Sequence, residues 1–340
     1  MTHQMPGLGN DRDDDEKQSV DSSASTAVND LHHVEELWFE DDTLILRAED
    51  SLFRVSKGVL SARSPVMKAM FSGMPKSGGD ILYGCPVVDL HHSASDVTYF
   101  LKAIFDLDFF LPPPAESPFW VVIGVIRLAH EYNVRSLLRR GLMHLETFYP
   151  SVLDGQRAYD TIEEGSERTR VLHRNLVALQ VASELGALWN LPRIIYECCT
   201  FSLTDILDSE GWEDLPAIHK RTIILSHDQQ KYGASRVSQF LLANVSQQCK
   251  STPMCNSAKL LWLKTVDNWR KGSRDSIPLE FWDESDWEDM AHDFCQSCLA
   301  KSKEYHAFQR TLLWKALPKA FGLLDWDELE KLKTEMFCTN

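Results

Sequence analysis

The stretch from Leu52 to Phe71, L-F-R-V-S-K-G-V-L-S-A-R-S-P-V-M-K-A-M-F, constrains the fold more than any other part of the chain. It reads as a short strand running directly into a helix, a break at Ser64-Pro65, and a second helix. Ser64 is a good helix cap, and Pro65 suits the first helical position, where its missing N–H costs nothing. Val66, Met67, Met70 and Phe71 then fall on one helical face, which is expected to be buried. Elementary chemistry alone therefore expects a buried helical hairpin behind a strand.

The flanks extend this into an α+β unit. Leu37-Trp38-Phe39 precedes a turn signal at Asp41-Asp42. Thr43–Arg47 and Leu52–Val55 are strand-like, joined through the polar Glu49-Asp50-Ser51. Met74 to Gly84 reads as a Gly/Pro/Ser loop, and Pro86–Leu90 as another strand. Ser93 to Asp96 resembles a capping box, ahead of a helical stripe at Val97, Phe100, Leu101, Ile104 and Phe105. Leu111-Pro-Pro-Pro ends that element. Val122, Val125, Ile126 and Ala129 mark a helix ending near Tyr132-Asn133, and Leu138, Leu142 and Leu145 mark one more.

The strand-to-helix segment resembles the core of a BTB (POZ) domain, whose usual form is F-x-V-H-K-x-x-L-x-x-R-S-P-x-F-x-x-M-F. Phe53, Val55, Lys57, Leu60, Arg63, Ser64, Pro65, Met70 and Phe71 match it, while Ser56 replaces a His and Met67 a Phe. Ile126 to Leu138 resembles the L-A-x-x-Y-x-V-x-x-L element that closes such a domain. The whole arrangement, with K-A-L-P-K-A-F-G-L at Lys315 to Leu323, is similar to the large fungal BTB family of mushrooms and their relatives. The resemblance implies protein partners and homo- or hetero-oligomerisation, sometimes with recruitment of a cullin-type ubiquitin ligase. Two departures bear on this. The chain before Val34 is polar, which speaks against a swapped N-terminal element. Met74 to Gly84 contains no Glu, which disfavours the hydrophobic-x-Glu motif of cullin-binding members.

The expected organisation is an acidic, Ser-rich disordered leader over 1–33, a BTB domain over 34–150, a polar linker over 151–170 and a helical domain over 171–340. In the last of these, Leu172, Leu176, Leu179, Ala182, Leu185 and Trp189 form a stripe that Pro192 is expected to stop. Further helices are expected near 215–226, 235–248, 256–271 and 301–317. Eight of the ten tryptophans lie in this half, more often the mark of a packed core than of a ligand site.

The 340 residues have room for two ordinary domains. A net charge of −15 disfavours phosphate-backbone binding, which needs clustered Lys and Arg. The start lacks a basic region followed by an apolar core, and no apolar run nears the ~20 residues of a membrane span. An intracellular protein, cytoplasmic or nuclear, is expected, its eight cysteines mostly reduced. Among them, Cys249-x5-Cys255 and Cys295-x2-Cys298 are two pairs that four-coordinate structural zinc could use, with His292 as a substitute ligand. Reduced core thiols, as for Cys198 and Cys199, are the competing reading. Asp283 to Asp289, with Trp282 and Trp287 interleaved, reads as a solvated loop pinned by its tryptophans. His32-His33 and His91-His92 read as polar histidines at element edges.

No P-loop, G-x-G-x-x-G, H-E-x-x-H, G-x-S-x-G or kinase motif appears. The expectation is a non-enzymatic interaction protein with no catalytic residue and no cofactor beyond zinc. A cullin-ligase substrate adaptor and a zinc-stabilised regulatory or nucleic-acid-associated protein are the alternatives.

Overall fold

The computed structural model describes residues 31–40, 43–73, 80–154, 166–272 and 277–338. The leader up to residue 30, the Asp41-Asp42 turn, residues 74–79 of the Gly/Pro/Ser loop and 155–165 of the linker lie outside them. The chain divides into two compact units, Met1–Val59 with Gly73–Ala94, and Leu60–Ser72 with Ser95–Asn340.

The first unit is a five-stranded sheet in the order β1-β3-β2-β5-β4, made of β1 (His32–Trp38), β2 (Thr43–Ala48), β3 (Ser51–Ser56), β4 (Ile81–Leu82) and β5 (Cys85–Leu90). β2 and β3 form the expected hairpin, in unbroken antiparallel register from Thr43↔Ser56 to Ala48↔Ser51. Its two-residue turn places Glu49 at φ 51°. β1 pairs parallel with β3 and was not legible as a strand, because only Leu37 in it is fully buried. β4 lies where a loop was expected. The turn before β5 uses Tyr83 and Gly84 at φ 51° and 75°, the left-handed pair that a tight hairpin needs. Ile45, Leu52 and Cys85 form the buried centre, with Trp38, Leu82 and Val87 against them. His33 stacks on Trp38 at 4.0 Å and bonds Tyr83 Oη at 2.9 Å, so it is spent locally. Arg47 grips Asp89 through Nε and Nη2 at 2.5 and 2.9 Å and reaches Asp80 at 3.3 Å. That fork holds the Asp89 carboxyl below its usual range.

In the strand-to-helix segment, α1 (Lys57–Arg63) is followed by α2 (Pro65–Ser72). Ser64 is wholly buried between them: its Oγ accepts from Met67 N at 2.9 Å and donates to Tyr132 O at 2.6 Å. The cap and the first-position proline are as expected. The buried face of α2 is narrower than expected, however. Met67 and Phe71 are buried and Met70 half-buried, but Val66 is 39% exposed. Four apolar residues at 66, 67, 70 and 71 span a wider arc than one packing face covers.

The second unit continues with α3 (Ala94–Phe105), α4 (Phe119–Glu131) and α5 (Arg135–Phe148). α4 ends at Tyr132, with Asn133 at φ 52° turning the chain. α6 (Ser166–Glu184) is stopped by Gly186 at φ 70°, with Ala187 N closing onto Ala182 O at 2.8 Å. Pro192 therefore does not stop that stripe. It sits in the first turn of α7 (Leu191–Cys198), where proline is tolerated. α8 (Leu203–Leu207) and α9 (Ala217–Val237) follow. The helix expected over 235–248 is only the end of α9 and a short turn at Gln239–Leu241. α10 (Thr252–Lys271), α11 (Glu284–Asp293), α12 (Gln296–Ala320) and α13 (Trp326–Cys338) complete the chain.

α11 replaces the expected solvated loop. Asp283 caps it by accepting from Asp286 N at 2.9 Å, and the Asp286 carboxylate accepts from Asp283 N at 3.0 Å. Trp282 and Trp287 are indeed buried, in a cluster with Phe240, Trp262 and Phe281. A buried ion network, unseen in the sequence, ties α7 to the turn Pro278–Glu280. Arg193, 3% exposed, meets Glu197 at 2.7 Å and Glu280 at 3.3 Å, while Tyr196 Oη donates to Glu280 and accepts from Leu279 N. Among the described residues no helix is long and apolar enough to cross a membrane.

Candidate metal centre

Four cysteines from two helix starts converge in the aromatic core of the C-terminal part. Cys295 is the N-cap of α12 and Cys298 lies in its first turn, where Cys298 N donates to Cys295 O at 3.0 Å. The x2 spacing is what lets one helical turn present two thiols side by side. Cys255 lies in the first turn of α10, its N–H donating to Ser251 O at 3.0 Å. Cys249 precedes that helix. The x5 spacing, loose for a motif read along the chain, steps from the non-helical Cys249 into the first turn of α10 and still leaves the two sulfurs within 4.8 Å.

All four sulfurs lie within 4.8 Å of one another, and Cys249 Sγ is 3.8 Å from Cys295 Sγ. A disulfide would bring two sulfurs to about 2.05 Å, so these are thiols. Tetrahedral sulfurs around zinc, with bonds near 2.3 Å, sit roughly 3.8 Å apart. His292, the substitute ligand, is exposed on α11 and stands outside the cluster.

The surroundings act on the four thiols in opposite directions. Both helix starts turn partial positive charge towards the sulfurs. Cys295 N donates to Cys255 Sγ and Ser246 N to Cys298 Sγ, each at 3.4 Å. Ser297 Oγ, with backbone N–H groups, holds the Cys295 thiol down to about 5. Burial pushes Cys298 up to about 12 and also raises Cys255. Burial thus opposes the thiolate form at Cys255 and Cys298, and a cation among the sulfurs would offset that cost. Two lysines, invisible to motif reading, stand by: Lys259, 6% exposed, donates to the carbonyls of Phe240 and Ala243, and Lys301 to those of Asn244 and Val245. Burial depresses Lys259, and the neighbouring cysteines oppose that. Four thiolates around a divalent ion leave two negative charges, which this pair of ammonium groups matches. Cys198 and Cys199 behave as the competing reading expects: both are buried core thiols, with burial raising Cys199 beyond reactive range.

The signature residues divide by burial. Phe53, Val55, Leu60, Ser64 and Phe71 are buried, whereas Lys57, Arg63 and Pro65 are exposed. Most of the pattern is therefore core, and a partner could touch only its polar minority and the apolar side chains left outside. No curated protein matches the chain. Residues 38–148 match the family model of the BTB/POZ domain, so the chain carries a BTB domain, a small curled sheet with helices, ahead of a helical C-terminal region.

Proposed function

We propose that the chain is a non-enzymatic interaction protein, in which the BTB domain mediates oligomerisation or adaptor contacts and the helical C-terminal part selects partners. BTB domains generally mediate protein–protein interaction and oligomerisation, and the match over residues 38–148 is the observation that carries the reading. Its expected layout is a leader over 1–33, the BTB domain over 34–150, a linker over 151–170 and the helical domain over 171–340, although β1 already begins at His32 and α6 at Ser166. The test is affinity purification of the tagged full chain with partner stoichiometry, together with light scattering of the pure protein. Self-copies or one stable partner support the reading, and the contact should weaken with Val66→Asp, an exposed position on α2. A cullin recovered near one-to-one would make it a ligase adaptor. A monomer that retains no partner rejects the proposal.

A second element of the reading is structural zinc on Cys249, Cys255, Cys295 and Cys298, supported by the four sulfurs within 4.8 Å of one another. With every position filled by protein, such an ion would hold the fold and leave no place for a substrate. Elemental analysis should find one zinc per chain, and cobalt exchanged into the site should show tetrahedral thiolate charge-transfer bands. Metal-free protein with unchanged melting would reject zinc without touching the BTB reading.

A further inference from the structure

We propose that the helical C-terminal part binds a small amphipathic carboxylate, an aryl or short acyl acid, in a cavity between α9 and α12. This goes beyond the interaction reading and does not depend on the cysteines. The cavity has a volume of about 200 Å³ and is open to solvent on one side. A dry cavity of about 150 Å³ is enough to hold a benzene ring. Its walls are Pro278, Leu279, Leu313, Leu317 and Phe321, an apolar lining suited to a ring or chain. Its inner side is set by Gly233, where a Cβ would lie 3.0 Å from Pro278 Cβ, so α9 comes in close without filling the space.

Two polar features select the ligand. Arg236 lines the cavity from an exposed position, and its guanidinium has no hydrogen-bond or ion-pair partner among the described residues. Among the described residues no carboxylate lines the cavity, in a chain that carries 50 Asp and Glu. A lone guanidinium beside an apolar pocket is complementary to one planar anion, which it can take bidentately. Gln230, 4% exposed, also lines the cavity; its amide nitrogen donates to Tyr196 O at 3.2 Å, while its Oε1 has no partner among the described residues. A buried acceptor left unpaired is costly, so a ligand that also offers an N–H or O–H would gain there after a small turn of the amide. One positive charge at the rim of a half-open apolar pocket fits a monocarboxylate better than a phosphate, which calls for several donors.

The experiment is calorimetric titration of the full chain with 4-phenylbutyrate and its neutral counterpart 4-phenylbutanol. For a ligand of this size a dissociation constant of about 1 mM or tighter is expected for the acid. Arg236→Gln should weaken the acid about tenfold or more and leave the alcohol unchanged. Ala316→Phe should abolish both by filling the cavity. Both positions are exposed, so the variants should melt with the parent protein. The proposal is overturned by any of three results: no saturable binding of the acid, an alcohol bound as tightly as the acid, or binding indifferent to Ala316→Phe. A concentration-dependent dimer that Ala316→Phe breaks, with no acid binding, would also overturn it and assign the cavity to a side chain of a second copy.

Discussion

Ser64 concentrates the logic of its segment in one hydroxyl, which accepts from Met67 N and donates to Tyr132 O while wholly buried. Ser64→Ala removes a helix cap and a buried donor together, and should cost about 2 kcal/mol in urea denaturation. A cost below about 0.5 kcal/mol would mean that water or a backbone shift replaces both bonds. The cap was legible in the sequence because its partner lies three residues away. The bond to Tyr132 was not, because it spans 68 positions and no local pattern encodes it. The same distinction holds for the cysteines. Each pair announced itself by spacing, but the approach of Cys249 to Cys295 spans 46 positions. Lys259 and Lys301 carry no motif at all, and only the folded chain brings their charge beside the sulfurs. Gly141 is a further silent residue: a Cβ there would meet Ile126 Cγ1 at 2.3 Å. Gly141→Ala should therefore destabilise by about 1–3 kcal/mol, despite the better helix propensity of alanine. A more stable variant in thermal melting would show that Ile126 can move aside.

Helices with a clean apolar period, such as α3 and α4, were readable, and the misses have local causes. The run D-E-S-D at 283–286 already contained a capping box, but its charge density suggested a solvated loop. α11 exists because the cap satisfies its first N–H groups and Trp287 and Met290 bury one side. β1 fails the alternation test and is recruited by the edge of β3, which supplies hydrogen bonds whatever the side chains are. Helix pairing also sets a pH response. His306 on α12 packs against Trp287 of α11, ring centroids 5.3 Å apart, and is 8% exposed. Burial, with some help from Arg310, pushes its imidazole down to about 4. The folded state thus keeps His306 neutral while the unfolded chain takes a proton near pH 6.5. Since the unfolded state binds more protons between these values, stability falls as pH drops from about 6.5 towards 4. Between pH 7 and 5 the loss attributable to His306 should be about 2 kcal/mol, measured as the difference in pH dependence between the parent and His306→Gln. Parallel pH curves would show that the ring is protonated in the fold as readily as in the unfolded chain.

At the scale of the whole molecule, the two functional readings rest on different parts of the chain and can be separated by one reagent. The BTB match ends at residue 148, and all four clustered cysteines lie beyond it. Eight of the ten tryptophans also lie beyond it, and Trp262, Trp282 and Trp287 share a buried cluster with Cys255 and Cys298. Removing an ion from that cluster would leave buried sulfurs needing protons and two lysines without their counter-charge, so the aromatic core around them should loosen first. A strong zinc chelator is therefore expected to red-shift tryptophan emission and lower its melting midpoint by several degrees. Association measured by light scattering, which the proposed function assigns to the BTB domain, should persist. Cys298→Ser, at a buried member of the cluster, should reproduce the chelated state, and added zinc should not rescue it. If chelation abolishes association as well, the helical part helps to build the interface. If it changes neither signal, the four thiols are core residues and the C-terminal fold stands on its aromatic packing.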